Sequence, residues 1–256
     1  MAIWLRRAIP ERMDCTPFIV RSAMLDRAGL ARRPYGQVHL VKTSILDCAA
    51  MSRLADEAYS EASVSEVGDI DSGRLRDGVL QKLVPSVPNL HELVAEAVNS
   101  TGVYGASESA LDQCRLSIKQ RMEFLASVGA SFHNDCFAHW TRCLFWVLAL
   151  DAVNVEFVVS HLGVRMQLEP GDLVVFDPSL PHGVCRPGDN GRFVAAHFED
   201  DLEGSFQAFL SGELMLNDEQ WAALGSPWLQ ADSEQFRNAV DLMSADIDSE
   251  VGAVTR

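Results

Sequence analysis

The sequence predicts a mainly β protein with a jelly-roll-like core and helices packed on it from both ends. Three observations lead to this fold class. After Leu111, short β-like runs alternate with turn residues, at the spacing of about 8 to 12 residues that is typical of an antiparallel sandwich or barrel. The two flanking parts show helical periodicity instead. The sequence shows no repeat with a period of about 20 to 50 residues, which argues against solenoids and propellers.

The N-terminal part, residues 1–110, has a mixed α/β character. A short strand is predicted over Gln37–Lys42, and a helix is predicted from about Ser44 to Ser60 because its apolar residues fall near one face. A further helix is expected to begin after Asn89, which is a suitable cap residue, and to stop near Gly102. These elements are expected to pack against the β core.

Residues 111–200 are predicted to form the jelly-roll core. The run of residues 143–150 is apolar on both faces, as expected for a strand inside a sandwich that helices cover. The predicted strands, in chain order, are Leu111–Lys119, Trp140–Leu150, Val153–His161, Val164–Leu168, Asp172–Phe176, His182–Cys185 and Arg192–Phe198.

The C-terminal part, residues 201–256, is acidic and returns to helical spacing over 218–223 and 233–243. The chain has 21 basic and 36 acidic residues, for a formal net charge of −15. From Glu199 to the C-terminus there are 13 acidic and 2 basic residues, a net charge of −11. This acidity argues against a nucleic-acid partner, while the nearly neutral remainder leaves room for a local basic pocket. The length suits a single enlarged domain, and we expect one domain over 1–256.

Cysteine usage and hydropathy indicate the compartment. The six cysteines form no C-x-x-C pair, so neither a zinc knuckle nor a thioredoxin-type motif is present. The longest apolar run, Cys143–Leu150, is far too short to span a bilayer. Charged residues interrupt the first 14 positions, which argues against a signal peptide. We therefore expect a cytoplasmic protein with reduced thiols and no membrane partner.

Two histidines and one aspartate in the predicted core are candidate metal ligands. His133 and Asp135 are two residues apart, and in an extended segment such residues point to the same side. His182, on a later strand, can supply a third ligand. Two imidazoles and one carboxylate on one face of a metal leave neighbouring positions open, which is the arrangement that non-haem Fe(II) oxygenases use.

Arg192, ten residues after His182, is a candidate anchor for an anionic co-substrate. The stretch from Arg186 to Gly191 predicts a hairpin turn, which would place Arg192 on the antiparallel neighbour of the His182 strand. A displacement of two or three residues along that strand is roughly 7 to 10 Å. Arginine suits the task because its planar fork holds a carboxylate with two parallel hydrogen bonds. A slip of one residue would turn the side chain to the opposite face.

The combined pattern resembles the signature of the Fe(II)/2-oxoglutarate-dependent dioxygenases. It consists of His133-x-Asp135, then His182 after 46 intervening residues, then Arg192 ten residues further on. The segment Gly171–Val184 resembles the strand pair around the distal histidine in that superfamily. Within the superfamily, the pattern is most similar to the aspartyl/asparaginyl β-hydroxylases and the small proline hydroxylases.

The resemblance covers about residues 130–200 and implies a double-stranded β-helix, or cupin-like, fold. It implies Fe(II) bound by His133, Asp135 and His182. It also implies 2-oxoglutarate as co-substrate, with Arg192 binding its far carboxylate. The implied reaction uses dioxygen to hydroxylate an unactivated C–H bond while 2-oxoglutarate is converted to succinate and carbon dioxide. The carboxylate ligand favours hydroxylation over halogenation, and it leaves desaturation and ring closure open.

The substrate is less well defined by the sequence. In the β-hydroxylases that this chain resembles, a basic residue shortly after the first metal histidine helps to bind substrate, and Arg142 stands in a comparable place. An ion pair within the fold is the other interpretation of Arg142. Trp140 is a further candidate contact. We expect a small-molecule substrate, such as an amino acid or a biosynthetic intermediate.

Three other functions stay open at this point. The first is a protein or peptidyl hydroxylase of the same superfamily, which requires an open groove. The second is a cupin-like metal protein that does not use 2-oxoglutarate, for which Arg192 would be dispensable. The third is a catalytically inactive regulatory module, which would bind iron poorly despite intact ligands.

Overall fold

The computed structural model describes two antiparallel β-sheets with helices packed against the larger one. For the first two ranges below, the description is limited to the backbone. The described residues are 17–21, 37–42, 53, 55–56, 66–68, 70–71, 89–103, 105, 107–135, 143–152, 154–178, 180–202, 205–217, 219–220 and 247–253.

The strands, in chain order, are β1 (Pro17–Arg21), β2 (Gln37–Lys42), β3 (Ile70–Asp71), β4 (Met122–Val128), β5 (Ala130–His133), β6 (Cys143–Asp151), β7 (Glu156–Val159), β8 (Val164–Gln167), β9 (Asp172–Phe176), β10 (His182–Cys185) and β11 (Phe206–Met215). The helices are α1 (Leu90–Asn99), α2 (Glu108–Arg121) and α3 (Ala196–Glu199). Among the described residues, no helix has the length and apolar character needed to cross a bilayer.

Strands β4 to β11 form a jelly roll. The larger sheet has the order β1-β2-β9-β6-β11-β4-β3, and the smaller sheet has the order β5-β10-β7-β8. Counted from β4, the core strands are therefore arranged 1-8-3-6 in one sheet and 2-7-4-5 in the other. This double Greek-key order is that of a jelly roll, or double-stranded β-helix. The predicted fold class is confirmed by this strand order.

Two apolar layers stabilise the arrangement. On the outer face of the larger sheet, Trp146 and Phe124 pack with residues of α1 and α2, including the buried Ile118. Between the two sheets, a second cluster includes Phe157 and Phe176. Because both faces of the larger sheet are covered, β6 is almost entirely apolar along its length, whereas β8 alternates between buried and exposed residues.

A glycine makes the tight connection between the first jelly-roll strand of each sheet. Gly129 lies between β4 and β5 with a φ of 67°, a conformation that residues with a Cβ adopt at a cost. A Cβ at this position would also lie 2.8 Å from the Phe198 ring and 2.9 Å from the Phe193 ring. The close approach lets β5 turn directly back under β4, which brings the end of β5 to the mouth of the barrel.

Several predicted elements agree with the structure. The predicted strands at Asp172–Phe176 and His182–Cys185 are β9 and β10, with the same bounds. Strands β6, β7 and β8 lie within or close to their predicted ranges. The helix predicted after Asn89 is α1, although Asn89 adopts a left-handed conformation and its side chain makes no capping hydrogen bond.

The strand predicted over Leu111–Lys119 is wrong, because this segment lies in α2. Its buried residues are Ala110, Cys114, Ser117 and Ile118, a spacing of three and four residues that matches one helix face. The Ser107 side chain accepts a hydrogen bond from the backbone N–H of Ala110 at 3.1 Å and caps the helix.

The strand predicted over Arg192–Phe198 is also wrong, and α3 occupies its second half. The last core strand, β11, lies instead in the part that the sequence assigned to an acidic helical tail. The predicted helix at 44–60 and the predicted tail helices at 218–223 and 233–243 lie mostly outside the described residues. The single-domain division stays a prediction.

Candidate metal centre

The two histidines of the candidate site lie side by side on neighbouring strands. His133 is the last residue of β5 and His182 is the first residue of β10. The two strands are antiparallel, and these two residues are direct partners in the register. Their ring centroids are 4.5 Å apart. The strand pairing alone therefore brings two imidazoles to one point at the mouth of the barrel.

Asp135 completes the group from the segment that follows β5. Its backbone N–H donates to the carbonyl oxygen of Pro178 at 2.9 Å, which fixes this segment against the chain that leads into β10. Its Oδ2 lies 3.3 Å from Nε2 of His182, and its Oδ1 lies 3.8 Å from Nε2 of His133. The three potential ligand atoms all lie within 4.8 Å of one another.

Both imidazoles are oriented by backbone carbonyl groups. Nδ1 of His133 lies 2.7 Å from the Ser131 oxygen, and Nδ1 of His182 lies 2.8 Å from the Leu180 oxygen. A carbonyl oxygen only accepts, so Nδ1 must carry the proton in each ring. In the neutral form of each ring, Nε2 then carries the lone pair on the side of Asp135. Such an outer hydrogen bond is the usual partner of a metal-binding histidine.

The surroundings of His133 and Asp135 favour the protonation states in which these side chains can bind a metal. Burial, with a smaller contribution from His182, lowers the pKa of His133 and keeps this ring neutral. Burial by itself would raise the pKa of Asp135, but the contact with Nε2 of His182 at 3.3 Å and the two nearby imidazoles lower it, and the net shift is downward. Phe176 and Phe157 pack around His182 with centroid distances of 4.7 and 5.8 Å. The site therefore combines a neutral His133 imidazole with an ionised Asp135 carboxylate.

Short segments outside the core strands support β5, which is an edge strand of the smaller sheet. The N–H of Phe132 donates to the carbonyl oxygen of Ser249 at 2.9 Å. On the other side, the N–H of Ser131 donates to the carbonyl oxygen of Gly68 at 3.1 Å. These contacts pair backbone groups that an edge strand leaves open, and they hold the strand that carries His133.

Gly183 allows β5 and β10 to approach closely next to the site. A Cβ at this position would lie 2.9 Å from the carbonyl oxygen of Ala130 and 3.4 Å from the Phe132 ring. We expect Gly183→Ala to push β5 away and to weaken Fe(II) binding about tenfold, as the loss of a supporting contact does at metal sites. Fe(II) titration with parallel denaturant unfolding measures this effect. Gly188→Ala is the matched control, because a Cβ there meets nothing within 4 Å. Unchanged Fe(II) affinity in the Gly183 variant would contradict the interpretation.

Arg192 lies on the surface and not on a strand beside His182. A 3-10 turn, Pro187–Asp189, and a left-handed Asn190 redirect the chain after β10. The Arg192 side chain is 58% exposed, and its guanidinium lies 3.1 Å from the Glu250 carboxylate. The predicted hairpin is therefore wrong. The residues of this segment that turn inward are Phe193 and Phe198, whose rings stack at 5.5 Å inside the inter-sheet cluster.

The remaining predicted site residues and one additional residue complete the comparison. Trp140 and Arg142 lie outside the described residues. Sequence reasoning missed Arg186, which follows β10 directly and is only 9% exposed. The signal was present, because Arg186 is four residues after His182 and strand alternation places both on one face.

The strand order and the site together define a class. The chain is a double-stranded β-helix protein in which two imidazoles and one carboxylate meet at the end of the barrel. This donor set is the one found in non-haem Fe(II) oxygenases, where it leaves positions open for other ligands. Three oriented donors that converge on one point can bind a divalent metal while leaving its other side accessible.

Several solved structures are similar to this chain. One is the non-heme alpha-ketoglutarate-dependent epimerase SnoN from nogalamycin biosynthesis, which is 14% identical over 74% of this chain and 82% of that chain, with a TM-score of 0.42. Another is an oxidoreductase of the 2OG-Fe(II) oxygenase family from Burkholderia pseudomallei, with 12% identity, coverage of 78% and 92%, and a TM-score of 0.42. A third is a prolyl hydroxylase from Trichoplax adhaerens, with 10% identity, coverage of 77% and 90%, and a TM-score of 0.41.

These TM-scores are below 0.5, so the fold assignment rests on the strand order of this chain. No protein-family model matches the chain, and a search of curated proteins finds no match.

Proposed function

We propose that this protein is an Fe(II)- and 2-oxoglutarate-dependent oxygenase that hydroxylates an unactivated C–H bond of a small metabolite. The observation that carries the proposal is the convergence of His133, Asp135 and His182 at the mouth of a double-stranded β-helix. The resemblance in the sequence points to the same class.

The three side chains fit an Fe(II) ion in donor type and in orientation. In the neutral form of each ring Nε2 is the nitrogen free to bind a metal, because Nδ1 donates its proton to a backbone carbonyl. Asp135 is positioned by its backbone hydrogen bond and supplies the one negative charge. When bound, the iron would supply coordination positions at which a 2-oxo acid and dioxygen meet.

The overall reaction balances without a further reductant. Substrate C–H, dioxygen and 2-oxoglutarate give substrate C–OH, succinate and carbon dioxide. One oxygen atom enters the alcohol and the other enters the new carboxylate of succinate, and 2-oxoglutarate supplies two electrons. The role of the protein is to hold the reactants in the orientation that the reaction requires. Phe157 and Phe176 give His182 an apolar surrounding that limits access of water.

One observation favours a cupin-like metal protein that does not use 2-oxoglutarate. Arg192, the residue that the sequence resemblance assigns to the co-substrate, is exposed and paired with Glu250. Exposed ion pairs of this kind contribute little to stability or to specific binding. In this second function Arg192 is dispensable and no succinate is formed.

The finer features of the proposal concern the substrate and the compartment. We propose an amino acid or a biosynthetic intermediate as substrate, with Arg142 and Trp140 as contacts. The peptidyl hydroxylase stays the alternative within the same superfamily. We also propose a cytoplasmic location, which is supported by the free thiols of Cys114 and Cys185.

Substrate-stimulated succinate release tests the proposal. Fe(II)-loaded protein is incubated with 2-oxoglutarate and oxygen, with and without members of a panel of amino acids, biosynthetic intermediates and proline-containing peptides. We expect at least one small metabolite to raise succinate formation, with one succinate per hydroxylated product at saturation. Stimulation by peptides alone indicates the peptidyl hydroxylase. If no succinate forms under any condition while iron is bound, the oxygenase proposal is wrong and the cupin-like function takes its place.

A further inference from the structure

We propose that Arg186 binds the distal carboxylate of a dicarboxylic 2-oxo acid and that Arg192 does not. This inference rests on the proposed function, because it needs a 2-oxo acid at the metal centre. It follows from where the two guanidinium groups lie and from how each of their charges is balanced.

Arg186 continues the face of β10 that carries the metal ligand. Its backbone is extended, with φ −75° and ψ 142°, so His182, Val184 and Arg186 point to the same side of the strand. Val184 belongs to the cluster between the two sheets. The Arg186 side chain therefore extends from the inner face, at the end of the barrel opposite to the metal centre.

The charge of Arg186 lacks a counter-charge. Its guanidinium donates to Ser205 Oγ and, at 3.4 Å, to the carbonyl oxygen of Asn154. It also lies 4.8 Å above the centroid of the Phe198 ring. These hydrogen bonds use two of its five N–H donors. Within the part of the chain that the structure describes, no carboxylate is paired with it. Buried charges in proteins are normally paired with an opposite charge, so this position favours an anion.

Polar side chains around Arg186 form a lining on the larger sheet. Gln207 and Ser127 are direct partners across β11 and β4, and they lie on the same face of the sheet as Phe209 and Leu125, which face the inter-sheet cluster. Ser127 Oγ donates to Gln207 Oε1 at 3.3 Å. Both are almost completely buried. Gln207 in turn donates to the carbonyl oxygen of Ser205, which links this polar lining to Arg186.

The separation of the two ends suits a short dicarboxylic acid. The Cα atoms of His182 and Arg186 are four residues apart, roughly 13 Å at strand rise. An arginine side chain and a chelated 2-oxo acid of five carbons can together span that distance. The walls between the ends are apolar, since Phe157 is the register partner of Val184 and lies next to His182. Such walls suit the methylene groups of the acid, while the guanidinium suits its carboxylate.

Arg192 has none of these features. Its side chain is more than half exposed, and Glu250 already balances its charge. The two arginines are six residues apart in the same segment, so one is a matched control for the other. A structural role for Arg186, in closing the end of the barrel, is the competing explanation that the experiment must separate.

The experiment compares two 2-oxo acids that differ only at the distal end. Wild type, Arg186→Gln, Arg186→Lys and Arg192→Gln are loaded with Fe(II) without oxygen and titrated with 2-oxoglutarate and with 2-oxopentanoate, which has a methyl group in place of the distal carboxylate. We expect Arg186→Gln to bind 2-oxoglutarate about 30-fold more weakly, as the loss of a charge-assisted hydrogen bond predicts, and to bind 2-oxopentanoate unchanged. Arg186→Lys keeps the charge, so its affinity for 2-oxoglutarate should lie between the affinities of wild type and Arg186→Gln. Arg192→Gln should bind both acids like wild type.

Three results overturn the proposal. They are unchanged 2-oxoglutarate binding in Arg186→Gln, equal weakening for both acids, which indicates a structural role, and a selective loss in Arg192→Gln instead. If Arg186→Gln does not fold, the same comparison is made with Arg186→Lys. This variant must still lose affinity for 2-oxoglutarate but not for 2-oxopentanoate. Failure of the proposed function looks different, because the iron-loaded wild type would then bind neither acid, and the assignment of Arg186 would fall with it.

Discussion

Replacing His182 with alanine is expected to lower Fe(II) affinity more than 100-fold and to abolish 2-oxoglutarate turnover. His182 is one of the three candidate ligands, and its Nε2 lies 3.3 Å from Oδ2 of Asp135, where the imidazole helps to lower the pKa of that carboxyl group. Losing an outer hydrogen-bond partner alone typically costs about 10- to 100-fold in metal affinity, and a direct ligand costs more. Calorimetric titration with Fe(II) without oxygen measures the loss.

The matched control is His197→Ala. His197 is 53% exposed and its Nδ1 lies 2.8 Å from Asp189, outside the group of potential ligands. We expect this variant to bind iron like wild type. Equal losses of Fe(II) affinity in both variants would show that the effect of His182→Ala reflects general destabilisation. Full iron binding by His182→Ala would show that His182 is not a metal ligand.

Replacing Trp146 with alanine is expected to lower the free energy of unfolding by about 3 to 5 kcal/mol. Trp146 is completely buried in β6, among the residues that join the larger sheet to α1 and α2. Its side chain faces the helices, on the opposite side of the sheet from the metal centre. The folded fraction of the variant should therefore bind Fe(II) with nearly normal affinity. Chemical denaturation and iron titration of the same sample measure the two quantities.

Trp146→Phe separates packing from hydrogen bonding. Among the described residues, Nε1 of Trp146 has no hydrogen-bond partner, so removing this N–H costs no hydrogen bond. A phenylalanine ring fills most of the volume, and we expect a loss below about 1.5 kcal/mol. A loss as large as that of the alanine variant would mean that the indole N–H is bound after all. A parallel loss of iron affinity in either folded variant would contradict the separation of the two faces.

The core strands near the distal histidine could be predicted because their sequence is locally unambiguous. Turn residues bound β9 and β10 on both sides, and their apolar runs leave no competing helical pattern. The segment of α2 was harder, because its mixed polar and apolar residues fit either a strand or a helix until the cap at Ser107 is considered. Strand β11 could not be predicted, because its apolar stretch lies in an otherwise acidic region whose spacing favours helices.

The candidate metal ligands could be predicted from spacing, whereas the position of Arg192 could not. His133 and Asp135 are joined by local extended geometry, and His182 needs only to begin a neighbouring strand. Arg192 depended on the conformation of a six-residue connection, and glycines together with Asn190 allowed that connection to turn away. Arg186 needs no such connection, because it is fixed by the continuation of β10. A residue on a strand is thus predictable where one beyond a long turn is not.

The most direct test of the central claim is the visible absorption of the iron-loaded protein with 2-oxoglutarate in the absence of oxygen. The resemblance implies a weak charge-transfer band for this chelate. We expect the band to grow with added Fe(II) up to one equivalent and to be absent in His182→Ala. Iron binding with no band on addition of 2-oxoglutarate would contradict the account and would favour a cupin-like protein that uses the same metal centre in another way.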